Sequence, residues 1–496
     1  METLDKSLRS ALENTILEAR STAEEAAQIV LEALGVGEKV PFPHLDETER
    51  ALRNKLRFHG RQLGDLRNED STQTIDALTE EVAYQHWHRM LFARFLAENN
   101  LLMDDDPVSP IPLSIEECND LAASLGARNG WDLAARYASR MLPQIFLNKS
   151  PIFSLVFPIE RQKVLEQLVA SIPEEVFHAS DALGWVYQFW QTKRKKGIND
   201  SGVKIGAREL PAVTQLFTEP YMVSFLLDNS LGAWWATKRL SAQDLATATD
   251  EQELRDKAYV DDLPLEYLRF VQDEETKSWK PAGGTFDAWP EQLSEFKMLD
   301  PCCGSGHFLV ATLQMLVPMW MELEGLTVDE AIWKVLEENI HGLELDQRCV
   351  ELAAFALAFA AWTYPGSSGY RELPSLHIAC SGQAIHISDD QLRKLANGNH
   401  DLYNALDELK DRFQQAPILG SLIDPKGSIH QDELFALDWD EVGPLLDTVL
   451  RKNKEEEFDE VGIIAQGLAK AASLLVGKYH LVATNVPYLA RGKQEQ

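Results

Sequence analysis

The spacing of apolar residues along the chain changes near residue 200. Before that point apolar side chains recur every three to four residues, as in Val82–Leu102 and Ala182–Lys196, which is typical of helices that bury one face. We interpret the large aromatics in these segments as packing core. A further segment, Ser21–Leu34, opens with Ser and Thr ahead of Glu, so the pattern predicts a capped helix start there. We therefore expect residues 1–203 to form a helical domain that ends in the polar joint Gly197–Val203.

From residue 204 onward, short apolar runs alternate with helical patterns. Such alternation predicts a parallel sheet with crossover helices. The predicted strands are Phe296–Asp300, Ile340–Leu345, Ser375–Cys380 and Tyr479–Thr484. A long, mostly helical insertion, residues 388–477, separates the third strand from the fourth. We expect an α/β fold in which the strands lie in the order third, second, first, fourth.

Composition narrows the class of protein. The chain has 496 residues, of which 45% are hydrophobic, and its five cysteines are scattered, which argues against a disulfide framework. Neither zinc-ligand spacing nor an apolar run of the roughly 18 residues needed to span a membrane occurs. The N-terminus has no apolar signal core, so we expect a cytoplasmic protein with no metal and no membrane partner.

The net charge of −31, from 47 basic and 78 acidic residues, bears on any nucleic-acid partner. Affinity for DNA comes largely from basic groups at phosphates, so a DNA-binding face on this chain has to be local. The best candidate is the run Lys193 to Lys196. A solvated helix end explains this run at least as well as a phosphate contact.

The strongest chemical signal is the segment Met298–Leu309. A strand ends in Asp300, and a loop of small residues with Gly304 and Gly306 leads into an apolar helix. Glycines in such a loop let a ligand approach the backbone closely, and the acid at the strand end can hold a cation or a hydroxyl of that ligand. The order of strand, acid, Gly-x-Gly turn and helix favours a nucleotide-like ligand.

The second and third signals follow later strands. Glu344, with Asp346 as the alternative, lies where sheets of this class bind ribose hydroxyls, although a helix-capping acid explains the position equally well on its own. Asn485 follows the fourth strand and precedes Val486, Pro487 and Tyr488. An Asn side-chain oxygen and a nearby main-chain carbonyl accept both hydrogens of an exocyclic amine, and a Tyr stacks on a flipped-out base. A helix-capping Asn and a packing Tyr are the alternative.

Together these segments are similar to the γ-type amino-methyltransferases, in which an acid and a glycine-rich loop precede an Asn-Pro-Pro-Tyr tetrad. Leu216–Leu227 looks like that family's Phe-x-Thr-Pro-type segment. The helix at residues 83–102, Leu183–Lys196 and Leu210–Gly232 further resemble the BREX phage-defence adenine methylases, the PglX family. The likeness covers most of the chain.

The resemblance implies S-adenosylmethionine as the cofactor and the N6 amino group of adenine in DNA as the methyl acceptor. The residues implied to bind the cofactor are Thr218 at its methionine end, Asp300 at its ammonium group, Glu344 at its ribose, and Pro301, Cys302, Gly304, Gly306 and Gln383 around it. The residues implied to receive adenine are Asn485, Val486, Pro487 and Tyr488.

Three departures from the family pattern matter. The tetrad has Val486 where the family has proline, so the loop loses a fixed φ although the backbone carbonyl remains. Gln383 stands where an acid is expected after the third strand, and the Thr-Pro step is interrupted by Glu219. The chain also stops eight residues after Tyr488.

The resemblance implies further strands and a target-recognition domain, which this chain does not contain. We therefore expect an incomplete Rossmann-like methyltransferase sheet. We expect DNA contacts mainly through a missing C-terminal domain, with a downstream-encoded C-terminal half and other phage-defence components as partners. Residues 1–496 alone are expected to bind the cofactor without measurable DNA methylation. Two alternatives are a methyltransferase of the same fold acting on another amine or amide, such as a protein glutamine, and a non-catalytic interaction subunit with an acidic docking surface.

Overall fold

A computed structural model describes most of the chain. The described residues are 3–106, 109–143, 145, 150–206, 209, 213, 218–260, 263, 265–383, 389–425 and 457–486, with side chains from residue 464 in the last range. Contacts divide the chain into two units. The first comprises Met1–Ile205, Ala384–Gln414 and Glu441–Gln466, and the second comprises Gly206–Gln383, Gln415–Asp440 and Gly467–Gln496. The assignment of residues 204–496 to one methyltransferase domain with an insertion at 388–477 stays a prediction.

The N-terminal part of the first unit is built from helices. They are α1 (Lys6–Ala33), α2 (Glu47–Gln62), α3 (Asp76–Glu98), α4 (Ile115–Ala122), α5 (Gly130–Met141), α6 (Ile159–Ser171), α7 (Glu174–His178) and α8 (Ala182–Ser201). Aromatic residues fill the interior: the rings of Trp87 and Trp190 stack with centroids 4.6 Å apart, and Tyr84 meets Trp190 edge-on at 5.6 Å. All three side chains are buried, which confirms that these aromatics are packing core.

Two boundaries predicted in this unit are wrong. Helix α1 begins after Asp5, whose side chain accepts hydrogen bonds from the backbone N–H groups of Ser7 and Leu8 at 2.7 and 2.8 Å. Ser21 lies inside that helix, because the buried apolar stripe already runs upstream of it. The predicted joint Gly197–Val203 is mostly helix, since α8 continues to Ser201 and ends at Gly202 with φ of +65°. A single exposed Gly197 costs a helix only about 1 kcal/mol, which does not stop it.

The basic run Lys193 to Lys196 lies inside α8, not at its end, and is partly neutralised within the same unit. Lys193 Nζ lies 3.0 Å from a carboxylate oxygen of Glu24, and Arg194 lies 2.9 Å from one of Glu80. Two of the four basic residues therefore already have acidic partners, which counts against a phosphate contact, and the run is part of a helix face and not the predicted helix end.

The second unit begins with short helices and a hairpin. The helices are α9 (Pro220–Leu227), α10 (Ala233–Arg239), α11 (Ala242–Thr247) and α12 (Glu251–Ala258), and the antiparallel hairpin pairs β1 (Phe270–Gln272) with β2 (Trp279–Pro281). This hairpin is absent from the sequence-based prediction. Its strands are only three residues long, too short to show a period-2 pattern.

The centre of the second unit is a parallel sheet. Its strands are β3 (Met298–Asp300), β4 (Ile340–Glu344), β5 (His377–Cys380) and β6 (Leu481–Val482), and their order is β5-β4-β3-β6. Both the four predicted strands and their predicted order are confirmed, as is the α/β fold with a helical N-terminal region. The connections between the first three strands contain α13 (His307–Glu324), α14 (Val328–Lys334) and α15 (Gln347–Trp362).

Later in the chain come further helices, α16 (Asp389–Ala396), α17 (His400–Arg412), α18 (Ala416–Leu419) and α19 (Glu457–Val476). Within the described ranges, no helix combines the length and the apolar character that a membrane crossing requires.

Candidate active site

The carboxyl edge of the sheet gathers three of the predicted site residues. Strand β3 lies between β4 and β6, with Met298 in register with both Ile340 and Leu481. Parallel strands end at the same edge, so Asp300 and Glu344, the last residues of β3 and β4, lie on adjacent strand ends. Asn485 follows β6 at this edge.

Asp300 is a buried acid, with 1% of its surface exposed. Its Oδ1 accepts the backbone N–H of Cys302 at 3.1 Å, which fixes the start of the loop. Burial raises the pKa of the Asp300 carboxyl to about 7, and the nearby negative charge of Glu344 acts in the same direction. The carboxyl is therefore poised to ionise when a cation approaches it.

Thr484, the residue before Asn485, lies beside Asp300. Its hydroxyl lowers the pKa of the Asp300 carboxyl and so works against burial. The contact is loose, because among the described residues the buried Thr484 Oγ1 has no well-aligned hydrogen-bond partner. Thr484 is therefore a polar neighbour whose hydroxyl dipole favours the ionised form of Asp300, without a well-formed hydrogen bond between them.

Glu344 joins the second strand end to the loop. Its carboxylate accepts backbone N–H groups from Gly304 at 2.8 Å, Leu345 at 2.7 Å and Asp346 at 3.3 Å. Burial raises the pKa of Glu344, and these hydrogen bonds oppose the rise. A carboxylate offers about four lone-pair positions, so the described residues use three of them and leave one acceptor position open.

Asp346, the alternative ribose ligand, has a different task. Its side chain accepts the backbone N–H of Arg348 at 3.0 Å and caps α15. The helix-capping role considered for the acid at this strand end is therefore that of Asp346, whereas Glu344 contacts the glycine-rich loop.

The two glycines of the loop face different surroundings. Gly304 has φ of +53°, and a Cβ placed on it would meet no atom of the described residues within 4 Å. Gly306 has φ of +89°, and its Cβ would lie 3.1 Å from Ala353 Cα. The loop is therefore open at Gly304 and packed tightly on α15 at Gly306.

Pro301 and Cys302 form the half-buried turn between Asp300 and the glycines. Burial raises the pKa of the Cys302 thiol to about 11, so the thiol stays protonated near neutral pH. Cys302 therefore acts as a small residue of the turn and not as a nucleophile.

Thr218 and Asn485, which are 267 positions apart in sequence, are in direct contact. Asn485 Nδ2 donates a hydrogen bond to Thr218 Oγ1 at 3.1 Å. Val486 follows with about half of its surface exposed. Pro487 and Tyr488 lie outside the described residues.

Comparison with known proteins places this edge in context. Residues 275–368 match the family model described as MmeI, DNA-methyltransferase domain, which includes Asp300 and Glu344 but not Asn485. The adenine-specific methyltransferase PglX of Lacticaseibacillus casei is 24% identical over 99% of this chain. The adenine-specific methyltransferase BrxX of Escherichia coli is 34% identical over 40% of this chain and 15% of its own length. The chain is similar to these PglX and BrxX proteins. It spans 42% of the length of the L. casei PglX protein.

One solved structure, titled as the cryoEM structure of a DrdV-DNA complex, is also similar. It shares 10% identity, covers 97% of this chain and 36% of its own, and has a TM-score of 0.34. A score that low does not establish a shared fold, so the similarity to PglX and BrxX is one of sequence.

Two further residues of the PglX-like edge were not predicted. A Cβ on Gly382, just after β5, would lie 2.1 Å from the carbonyl oxygen of Leu345, so only glycine is accommodated there. The sequence signal was a glycine directly after a predicted strand, before the half-buried Gln383. The second residue that was not predicted is Thr484, which lies beside Asp300. Its position at the end of the fourth predicted strand could have pointed to it.

Proposed function

We propose that this chain binds S-adenosylmethionine and directs its methyl group to the N6 amino group of adenine in DNA. The observation that supports the proposal most is the convergence of Asp300, Glu344 and Asn485 at one edge of three adjacent parallel strands. Ligands of open α/β sheets bind at that edge.

The cofactor half of the proposal depends on the chemistry of the strand ends. The amino-acid part of S-adenosylmethionine carries an ammonium group, which suits a buried carboxyl such as Asp300. The ribose hydroxyl suits the remaining acceptor position of Glu344, and the space beside Gly304 lets a ligand approach the loop. When bound, the cofactor supplies a methyl group on a sulfonium.

The acceptor half depends on Asn485. Its side-chain oxygen and the main-chain carbonyl of Val486 would accept the two hydrogens of the adenine amino group. This arrangement holds the nitrogen lone pair toward the methyl group. Tyr488 would stack on the base, which has to leave the duplex at a cost of a few kcal/mol.

The biological part of the proposal comes from the relatives. Two of them are named adenine-specific methyltransferases, PglX and BrxX. We propose the same substrate here, with a role in BREX-type phage defence or restriction-modification and with DNA as the partner.

Cofactor binding is the first test, because it needs only residues of this chain. Calorimetric titration of the purified chain with S-adenosylmethionine should show one site. Asn485→Ala should leave the affinity unchanged, because that residue is assigned to the acceptor. A folded sample that does not bind the cofactor would contradict the proposal.

Methyl transfer is the second test, made on the product of the complete gene that carries this sequence. Labelled cofactor and unmethylated genomic DNA should yield N6-methyladenine, identified by mass spectrometry after nuclease digestion. Asn485→Ala should abolish the product. Full activity of that variant would remove the assignment of Asn485, and a methylated protein in place of methylated DNA would favour the amide alternative.

A further inference from the structure

The contact between Thr218 and Asn485 is not explained by the cofactor contact that the resemblance implies for Thr218, and it points to a different task. Thr218 lies just before α9, and Asn485 lies just after β6. Both are half-buried, and the Asn485 amide nitrogen donates to the Thr218 hydroxyl oxygen at 3.1 Å. The bond therefore links a helix start and a strand end that the sequence keeps far apart.

An Asn side chain has two ends of nearly equal size and opposite hydrogen-bonding character. The oxygen accepts, while the NH2 group donates twice. To bind an amine through its hydrogens, Asn485 has to present the oxygen, because a presented NH2 group would face the hydrogens of the amine. Neighbouring groups alone decide between the two orientations.

Thr218 is the neighbour that occupies the NH2 end. In the structure the Thr218 hydroxyl accepts from Nδ2, and among the described residues the oxygen is the end left for a ligand. Because a hydroxyl can also donate, this orientation requires that the Thr218 proton points away from Asn485. The restraint matters more here because Val486 does not fix the backbone φ after Asn485 as a proline would.

We propose that Thr218 is a positioning residue that orients the Asn485 amide with its oxygen toward the acceptor amine. This inference rests on the proposed function of Asn485 and deepens it. It differs from a role at the methionine end of the cofactor, because that role predicts weaker cofactor binding when the hydroxyl is removed.

A spectroscopic test does not require activity. The chain is labelled with 15N at asparagine side chains, and the Asn485 NH2 signals are assigned by their loss in Asn485→Ala. Thr218→Val removes the hydroxyl at nearly constant volume and should shift these signals and speed their hydrogen exchange. Thr218→Ser should keep them near their wild-type positions. Thr247→Val is the matched control, since Thr247 is exposed on α11 and, within the described part of the chain, its hydroxyl bonds only to Gln243 O in its own helix.

Binding and kinetics separate the two roles. Thr218→Val should bind S-adenosylmethionine as wild type does, while kcat of the complete gene product falls roughly tenfold and KM for the cofactor stays constant, as expected for one lost hydrogen bond. Thr218→Ser should restore most of kcat. Asn485 signals that do not move in Thr218→Val, or a variant that loses cofactor affinity instead of kcat, would overturn the inference alone. Failure of the wild-type chain to bind the cofactor would overturn the proposed function and the inference together.

Discussion

The two ends of the parallel sheet bury ionisable groups in the same way but use them differently. At the carboxyl end, burial raises the pKa of Asp300 to about 7. At the amino end, burial lowers the pKa of His341 to about 4 and also lowers that of His377. Desolvation is the largest cause in each case, and it favours the neutral form of the group.

The difference lies in what remains unsatisfied. At the amino end, His341 Nδ1 lies 3.2 Å from the carbonyl oxygen of Met298, its ring stacks on that of His377 with centroids 5.0 Å apart, and Tyr479 packs edge-on at 5.2 Å. At the carboxyl end, Glu344 retains an acceptor position and the loop is open beside Gly304. A perturbed pKa alone therefore does not mark a functional site, and open space with residual hydrogen-bonding capacity is the better indicator.

Removing one buried ionisable group at each end of the sheet tests this comparison most directly. Asp300→Asn should weaken S-adenosylmethionine binding by roughly 100-fold, because it removes a charge-assisted contact with the ammonium group. His341→Phe should leave the affinity unchanged. Titration calorimetry of both variants is the measurement. Equal losses of cofactor affinity in the two variants would contradict the comparison, because they would show that a substitution at either end of the sheet disturbs binding.

The open and packed sides of the loop give the next largest effect. Gly306→Ala should lower the free energy of unfolding by about 2 kcal/mol, because a positive φ and a close contact with Ala353 both oppose a side chain. Gly304→Ala meets only the positive φ and should cost about 1 kcal/mol. Denaturant unfolding compares them, and a larger loss for Gly304→Ala would mean that the space beside it is not open.

The pH dependence of cofactor binding tests the state of Asp300. Because its pKa is raised to about 7 in the ligand-free protein, a proton must leave before an ammonium group binds. Affinity should therefore rise with pH, by roughly tenfold between pH 6 and pH 8. Calorimetry in buffers of different ionisation enthalpy should detect the released proton. Asp300→Asn should flatten the profile, and a pH-independent wild type would rule out Asp300 as the ammonium ligand.

The smallest effect is expected at the amino end. The pKa of His341 is depressed from its ordinary value of 6.5 to about 4, so the unfolded chain binds a proton between these values and the folded chain does not. The stability that His341 contributes is present above pH 6.5 and is lost as pH falls toward 4, by about 1 kcal/mol at pH 6. Thermal unfolding of His341→Phe should show a shallower loss between pH 8 and pH 6. An unchanged slope would show that the folded protein protonates this ring.

Apolar patterns predicted the sheet well and the contacts between distant segments poorly. The runs around Met298–Asp300 and Ile340–Glu344 are buried on both faces, and such continuous apolar strands are visible in sequence. The bond between Thr218 and Asn485 joins two segments with no shared pattern, so only the folded chain displays it. The start of α1 was misplaced because a Ser-x-x-Glu pattern resembles a cap wherever it occurs.

Glu344 has a consequence for how this scaffold evolves. The same carboxylate holds the backbone of Gly304 and, in the proposed function, offers its remaining acceptor position to a ligand. A substitution at residue 344 would change both the shape of the loop and its ligand preference. Selection therefore cannot act on the two properties separately at this position. Variation in ligand preference is therefore easier to accumulate at neighbouring positions that brace nothing, and residue 344 is constrained on two grounds at once.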